Sequence, residues 1–484
     1  MKSSFLLILL VSLGLQTSFC QTKPNIIIIY TDDMGYADLG VQGSVKDIRT
    51  PNIDLLAKEG VRFTAGYVTA PQCSPSRAGL LTGRYQERFG FDEIPDGPLP
   101  LTETTIANRL QKAGYTTGQV GKWHLEPNAV TADWMNKYMP NAKPNAQGRY
   151  NQRVPDSLLN LYMPGNRGFH QFFTGYVNNY DANFDLNGNL LKPAGINVKV
   201  PGFRLDIQTE AALQFIKRNQ KSPFFLYLAY YGPHVPLEAT EKYLQRFPEK
   251  MEQRRKYALA MMSAIDDGVG QISAQLRQFG IDGNTMIIFA SDNGAPLGIT
   301  KEDLPITDEK GKWDGSLNNP MLGEKGMLTE GGIRVPFIIK WPKGLPKGKV
   351  YKKPVSTLDI AATAVQLAGL PKSKELDGVN LIPFLSGKNK SSPHEYLYWR
   401  FWTQTAVRDE RWKFVNAGNK GAYLFDIEND SEEKNNLIAQ HPEIAQRLKN
   451  KLEEWTKQLM PPGIPYKKLR NQESEWYNFY LKQN

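Results

Sequence analysis

The sequence predicts a doubly wound α/β domain followed by a small antiparallel sheet backed by one helix. Two short runs, "NIIIIYTDD" (25–33) and "TMIIFASDNG" (285–294), are apolar at almost every strand position, as expected for parallel strands covered on both faces. Segments with helical spacing lie between them: "TTIANRLQKAGY", "TEAALQFIKRN" and "YALAMMSAIDDGVGQISAQLRQFG". Beyond residue 387 the texture changes to short aromatic strands, "EYLYWRF", "TAVRDERWKFV" and "AYLFDIEND". These observations divide the chain into a main unit at 21–387 and a C-terminal subdomain with tail at 388–484.

The N-terminus has the pattern of a leader. Lys2 precedes "FLLILLVSLGL", an apolar run too short to span a bilayer, and the small residues Ser18 and Cys20 precede Gln21. This predicts a signal peptide over residues 1–20, cleaved after Cys20, and an exported product, periplasmic or secreted. Bulky Phe19 disfavours lipid anchoring at Cys20, and no later stretch is long and apolar enough for a transmembrane segment. The chain has 2 cysteines. With Cys20 in the leader, Cys73 is left unpaired and no intramolecular disulfide can form. A thiol exposed outside the cytosol oxidises readily, so Cys73 is either buried and inert or kept for its chemistry.

A formal net charge of +10 at pH 7 favours anionic partners. The basic residues are dispersed and form no nucleic-acid motif, so no nucleic-acid partner is expected. A sulfated or phosphorylated substrate fits instead.

Both strand-like runs end in acids. Asp32 and Asp33 follow the first, and Asp292 and Asn293 follow the second. In a doubly wound sheet ligands bind beyond the carboxyl ends of the strands, so both clusters fall on one rim. Three acids and an amide suit a hard divalent cation, although Asp and Asn also end strands and form turns. "GKWH" puts Lys122 and His124 on one side of an extended segment, and "YGPHVP" stiffens the loop around His234 with prolines. "GEKGMLTEGGIRVP" sets Lys325 in a glycine-bracketed loop. Such a cation–lysine–histidine set suits transfer of a sulfuryl or phosphoryl group. A plain thiolate is a soft nucleophile that a hard cation does not activate, which argues that Cys73 does not act as a thiol.

At its C-terminal end, "HPEIAQRLKNKLEEWTKQL" opens with Pro442 and spaces Ile444, Leu448, Leu452, Trp455 and Leu459 as a helix. The tail from "MPPGIPY" onward gives no assignable pattern.

"CSPSRAGLLTGR" resembles the C-x-P-x-R…TGR signature of the formylglycine-dependent sulfatases of the alkaline-phosphatase-like superfamily. "KPNIIIIYTDDMGYADLG", "GKWHL", "GPHVP", "SDNG", "GEKGMLTEGGIRVPFIIKWP", "STLDIAATAVQLAGL" and "LFDIENDSEEKNNL" follow in the family's order, over roughly residues 24–460. The resemblance implies an alkaline-phosphatase-like sandwich with a large mixed, mostly parallel sheet. It implies that a formylglycine-generating maturation enzyme converts Cys73 to an aldehyde (3-oxoalanine), whose hydrate is the nucleophile. It further implies that Asp32, Asp33, Asp292 and Asn293, with residue 73, bind one Ca2+ ion. Arg77 would stabilise the hydrate, and Lys122 and Lys325 would hold the sulfate. His234 would protonate the leaving oxygen, and His124 would help expel sulfate from the ester formed on residue 73. The expected activity is hydrolysis of sulfate esters of a poly- or oligosaccharide, such as ulvan, carrageenan or a glycosaminoglycan.

The chain departs from the family pattern at Glu126, where many relatives have Gly, and at His170, where many have Asp. Between them residues 126–167 are rich in Asn, Tyr, Trp and Arg, which suits either a sugar-facing wall or a packed surface excursion. His170 is a candidate subsite contact. Two other readings remain open: a phosphonate monoester or phosphodiester hydrolase of the same superfamily, and a non-catalytic binder of anionic glycans.

Overall fold

The computed structural model describes residues 23–127, 130–144, 153–308, 313–462 and 471–481. The expected signal peptide lies outside the described residues. Among them, no helix is long and apolar enough to cross a membrane.

The main sheet has ten strands in the order Lys349–Tyr351, Val61–Phe63, Phe337–Lys340, Thr285–Ser291, Asn25–Asp32, Phe224–Pro233, Thr116–Gly121, Gln171–Gly175, Asn179–Ala182 and Ile196–Lys199. Its centre is parallel, and antiparallel pairs on both sides make it mixed. Every residue of Asn25–Asp32 is buried. Ile27 and Ile29 enter one core with the helices Arg204–Asn219 and Gln253–Gln278. Ile26, Ile28 and Tyr30 enter the opposite core with Ala78, Leu110 and Ala364 from three other helices. The alternation of a strand thus serves two apolar layers, which is why the run is apolar throughout.

Register brings distant segments together. Thr31 pairs with Ser291, so Asp32 and Asp292 emerge side by side. Asp32 pairs with Pro233, so His234 stands on the other flank. Gly121 pairs with Ala229 and the Lys122 N–H bonds the Ala229 carbonyl at 2.8 Å, adding Lys122 from the next strand.

The second sheet is a four-stranded antiparallel meander, Leu397–Phe401, Gln404–Arg408, Trp412–Asn416 and Ala422–Asp426. One face, with Trp399 and Phe425, packs on Tyr67 and Met327 of the main body. The other, with Val407 and Leu424, packs on Leu448, Leu452 and Trp455 of the helix Pro442–Thr456. Leu459 lies past the helix end and is only partly buried against this core. The unassigned tail contains a further helix, Asn471–Tyr480.

His394 fastens the approach to this sheet, its Nε2 lying 2.8 and 3.0 Å from the two Asp359 carboxylate oxygens. Burial opposes the imidazolium, but Asp359 outweighs it and raises the His394 pKa. The resulting stabilisation is complete below the unfolded-state pKa of about 6.5 and is lost as pH rises through the higher folded value. Removing a buried charged hydrogen bond costs about 2 kcal/mol. His394→Ala is therefore expected to lower the thermal midpoint clearly at pH 6 and less at pH 9; an equal loss at both would contradict this assignment.

Candidate active site

Cys73 opens the helix Cys73–Thr82, which is buried along its whole length. Arg77 follows one turn later on the same face. Cys73 is 1% exposed, and its Sγ and carboxylate oxygens of Asp32 and Asp292 lie within 4.8 Å of one another. Burial pushes the Cys73 thiol above its ordinary pKa, with Lys122 and Lys325 pulling it back. An unmodified thiol here is protonated and a poor nucleophile.

Each buried carboxylate faces its own cation. Lys122 Nζ lies 2.7 Å from Asp32 Oδ2, Lys325 Nζ lies 2.7 Å from Asp33 Oδ1, and Arg77 Nη2 lies 2.6 Å from Asp292 Oδ2. Burial opposes ionisation of Asp32, but Lys122, His234, Arg77 and Lys325 together hold its carboxyl well below the usual range. Burial likewise opposes ionisation of Asp33, and Lys325 and His234 outweigh it. For Asp292 burial wins: Arg77 offsets it only in part, Asp32 and Asp33 add repulsion, and its pKa rises to about 7. Both lysines stay charged, because the carboxylates outweigh the burial that would neutralise them.

The histidines differ in setting. His124 adopts a positive φ of 60°, and burial followed by Lys122 and Arg77 pushes its pKa well down, leaving a neutral imidazole. His234 Nδ1 lies 2.6 Å from the Val235 carbonyl and Nε2 lies 3.6 Å from Asp33 Oδ2. The nitrogen facing the carbonyl carries the proton, which directs Nε2 into the site. Burial lowers the His234 pKa against the pull of Asp32 and Asp33. Arg204 clamps this loop, bonding the carbonyls of His234 and Pro236 at 2.8 Å each.

The structure therefore gathers Asp32, Asp33, Cys73, Arg77, Lys122, His124, His234, Asp292, Asn293 and Lys325 into one cluster. His170 is a correction: it precedes Gln171, whose register partner is Gly118, and its Nδ1 lies 2.9 Å from Thr117 Oγ1. That is the amino end of the strand leading to Lys122, about 13 Å from the catalytic rim at the rise of an extended chain. Most of the described part of the 126–167 insert is exposed or half-buried, but its buried Tyr162 packs beneath the site. The Trp123 indole, between Lys122 and His124, donates to the Tyr162 carbonyl at 2.8 Å, and the Trp134 indole donates to the Tyr162 hydroxyl at 3.3 Å.

Asp314 was not foreseen. It brings a carboxylate oxygen within 4.8 Å of Asp33 and His234 ligand atoms, and burial with Asp33 pushes its pKa up to about 8. It sits in a loop, "WDGSLNNP", with no strand end or motif to mark it. Tyr227, whose hydroxyl accepts from Arg77 Nη1 at 3.2 Å, was hidden within an apolar strand.

The oxygen set suits a divalent cation. Asp32 Oδ1 and Asn293 Oδ1 are buried acceptors with no hydrogen bond among the described residues. Burial, with repulsion from Asp32 and Asp33, raises the Asp292 pKa. A hard cation would fill the orphaned acceptors and relieve the repulsion. Gly294 lets this loop approach the one bearing Gly331, since a Cβ there would lie 1.8 Å from the Gly331 carbonyl oxygen.

Residues 24–370 match the sulfatase family, and residues 322–458 match the family described as N-sulphoglucosamine sulphohydrolase, C-terminal. The chain is 34% identical over 418 residues to N-acetylgalactosamine-6-sulfatase of Sus scrofa, covering 81% of this chain and 72% of that one. It is 32% identical over 437 residues to arylsulfatase D of Homo sapiens, covering 78% and 70%. Among solved structures it is similar to Ps i-CgsB in complex with k-i-k-neocarrahexaose, with a TM-score of 0.73, 30% identity and coverage of 96% and 98%. The chain belongs to the sulfatase family, within the alkaline-phosphatase-like superfamily, and is a sulfuric ester hydrolase.

Chelation of divalent cations is expected to lower both sulfate-ester hydrolysis and the thermal midpoint, and Ca2+ to restore both. A site saturated 100-fold above its Kd contributes about 2.7 kcal/mol. Melting curves with EGTA and with added Ca2+ check this, and coincident curves would contradict a cation at these oxygens.

Proposed function

We propose that the protein is an exported hydrolase of sulfate esters on a sulfated carbohydrate, acting through formylglycine made from Cys73 by a maturation enzyme. The observation that carries the reading is Cys73 at the head of a buried helix, beside Asp32 and Asp292, in a cluster where Lys122 and Lys325 hold Asp32 and Asp33. The leader pattern at 1–20 supports export. The names of the porcine relative and of the oligosaccharide-bound neighbour support a carbohydrate.

Asp32, Asp33, Asp292 and Asn293, with residue 73, would hold one Ca2+. When bound, the cation supplies positive charge against the sulfate oxygens. As a formylglycine hydrate, residue 73 supplies one hydroxyl to attack sulfur and a second through which sulfate is expelled. Lys122 and Lys325 grip the sulfate and stabilise charge that spreads over its oxygens. Arg77, fixed by Asp292 and Tyr227, orients the residue 73 side chain one turn away. His234 Nε2, when protonated, gives its proton to the departing sugar oxygen. His124, neutral in its buried setting, takes the proton of the second hydroxyl.

The test is sulfate release from ι-carrageenan and chondroitin 6-sulfate oligosaccharides by enzyme produced with a maturation enzyme, compared with Cys73→Ala. The variant is expected to fold with an unchanged melting curve and to lose activity by roughly 1,000-fold or more. Retained activity in Cys73→Ala would overturn the nucleophile assignment. Faster turnover of a phosphonate monoester than of any sulfate ester would move the substrate to the phosphonate class.

A further inference from the structure

The helix Asn471–Tyr480 has two faces with different contacts. Glu473, Trp476, Tyr477 and Tyr480 recur at helical spacing and turn inward. Tyr477 donates to Gln404 Oε1 at 2.6 Å, Thr403 Oγ1 donates to Glu473 Oε1 at 3.0 Å, and Tyr480 donates to Glu324 Oε1 at 3.0 Å. Trp476 lies directly on Gly326, which has a φ of +96°; a Cβ there would sit 2.3 Å from the indole. Glu324 and Gly326 flank Lys325, so this helix holds the Lys325 loop from outside. Glu324 also accepts the backbone N–H groups of Leu297, Gly298 and Ile299 at 2.9, 2.8 and 2.9 Å, tying the loop after Asn293 to the same point.

The neighbouring face points elsewhere. Gln472 and Glu475, one turn apart and exposed, line a cleft of about 660 Å3. Its other walls include Lys325, Thr300, Trp402 and Gln72, the residue before Cys73. The size falls within the ~300–1,000 Å3 of small-molecule sites. The cleft shares Lys325 with the catalytic cluster, where its Nζ lies 2.7 Å from Asp33 Oδ1. Its amide, carboxylate and hydroxyl groups match the vicinal hydroxyls of a sugar. Half-buried Trp402, braced from behind by buried Trp476 at 5.9 Å and 13°, gives an apolar edge for its C–H faces.

We propose that this cleft is a saccharide subsite: it receives the sugar linked to the sulfated one, with Gln472 and Glu475 hydrogen-bonding its hydroxyls. The inference rests on the sulfated-carbohydrate reading above. A small aryl sulfate engages Lys325 without filling the cleft.

The experiment compares the full-length mature enzyme with Gln472→Ala/Glu475→Ala. The substrates are ι-neocarrahexaose, a chondroitin 6-sulfate tetrasaccharide and 4-nitrophenyl sulfate. For the glycan that the enzyme hydrolyses, kcat/KM should fall at least ~10-fold further than for 4-nitrophenyl sulfate, mainly through KM, since hydrogen-bonded sugar contacts act on binding. Glu475→Gln, which keeps a hydrogen-bonding group, should recover most of the loss seen in Glu475→Ala. Glycan hydrolysis with an unchanged ratio between the two substrate types would overturn the inference and leave the functional reading standing. Turnover of 4-nitrophenyl sulfate with no hydrolysis of either glycan would overturn the carbohydrate reading and the subsite with it. Should the double variant melt early, Gln472→Ala and Glu475→Ala provide the same comparison singly.

Discussion

The molecule depends on pairing buried charge with buried charge at the carboxyl ends of parallel strands. Burying an ion costs several kcal/mol unless a partner compensates it. Here Asp32 meets Lys122, Asp33 meets Lys325 and Asp292 meets Arg77, each carboxylate essentially sealed from solvent. The pairs join segments far apart in sequence, so none forms until the sheet register is set. The register in turn is held by two apolar layers that need alternate faces of the same strands. The site is thus assembled by the core and cannot be assembled without it.

The same pairing leaves a deliberate imbalance. Lys122 and Lys325 are committed to Asp32 and Asp33, while for Asp292 burial and two neighbouring carboxylates outweigh Arg77 and Lys122. Asp32 Oδ1 and Asn293 Oδ1 remain buried acceptors without hydrogen bonds among the described residues. A site satisfied by protein groups alone would show neither feature. Such oxygens are the kind of defect that a divalent cation repairs, and the lysines then become available to an incoming anion.

Much of this was legible in the sequence for a physical reason. Strands buried on both faces must be apolar throughout, so the acids that end them stand out, as Asp32, Asp33, Asp292 and Asn293 do. Glycine- and proline-framed loops marked Lys325 and His234 in the same way. Asp314 gave no signal, because its proximity to Asp33 and His234 depends on the path of a long loop. His170 misled because a departure from the family pattern after the insert says nothing about which end of a strand the residue meets. The C-terminal helix was unreadable from its flanks, yet its inward residues obey the helical period; its role emerged only from contacts with Glu324 and Gly326.

The central claim is that Cys73 is the precursor of the reacting group. Peptide mass spectrometry across residues 71–84, on protein taken from its native host, tests it most directly. The account predicts loss of the thiol and a mass corresponding to the aldehyde or its hydrate at residue 73. An intact cysteine in active enzyme would contradict it.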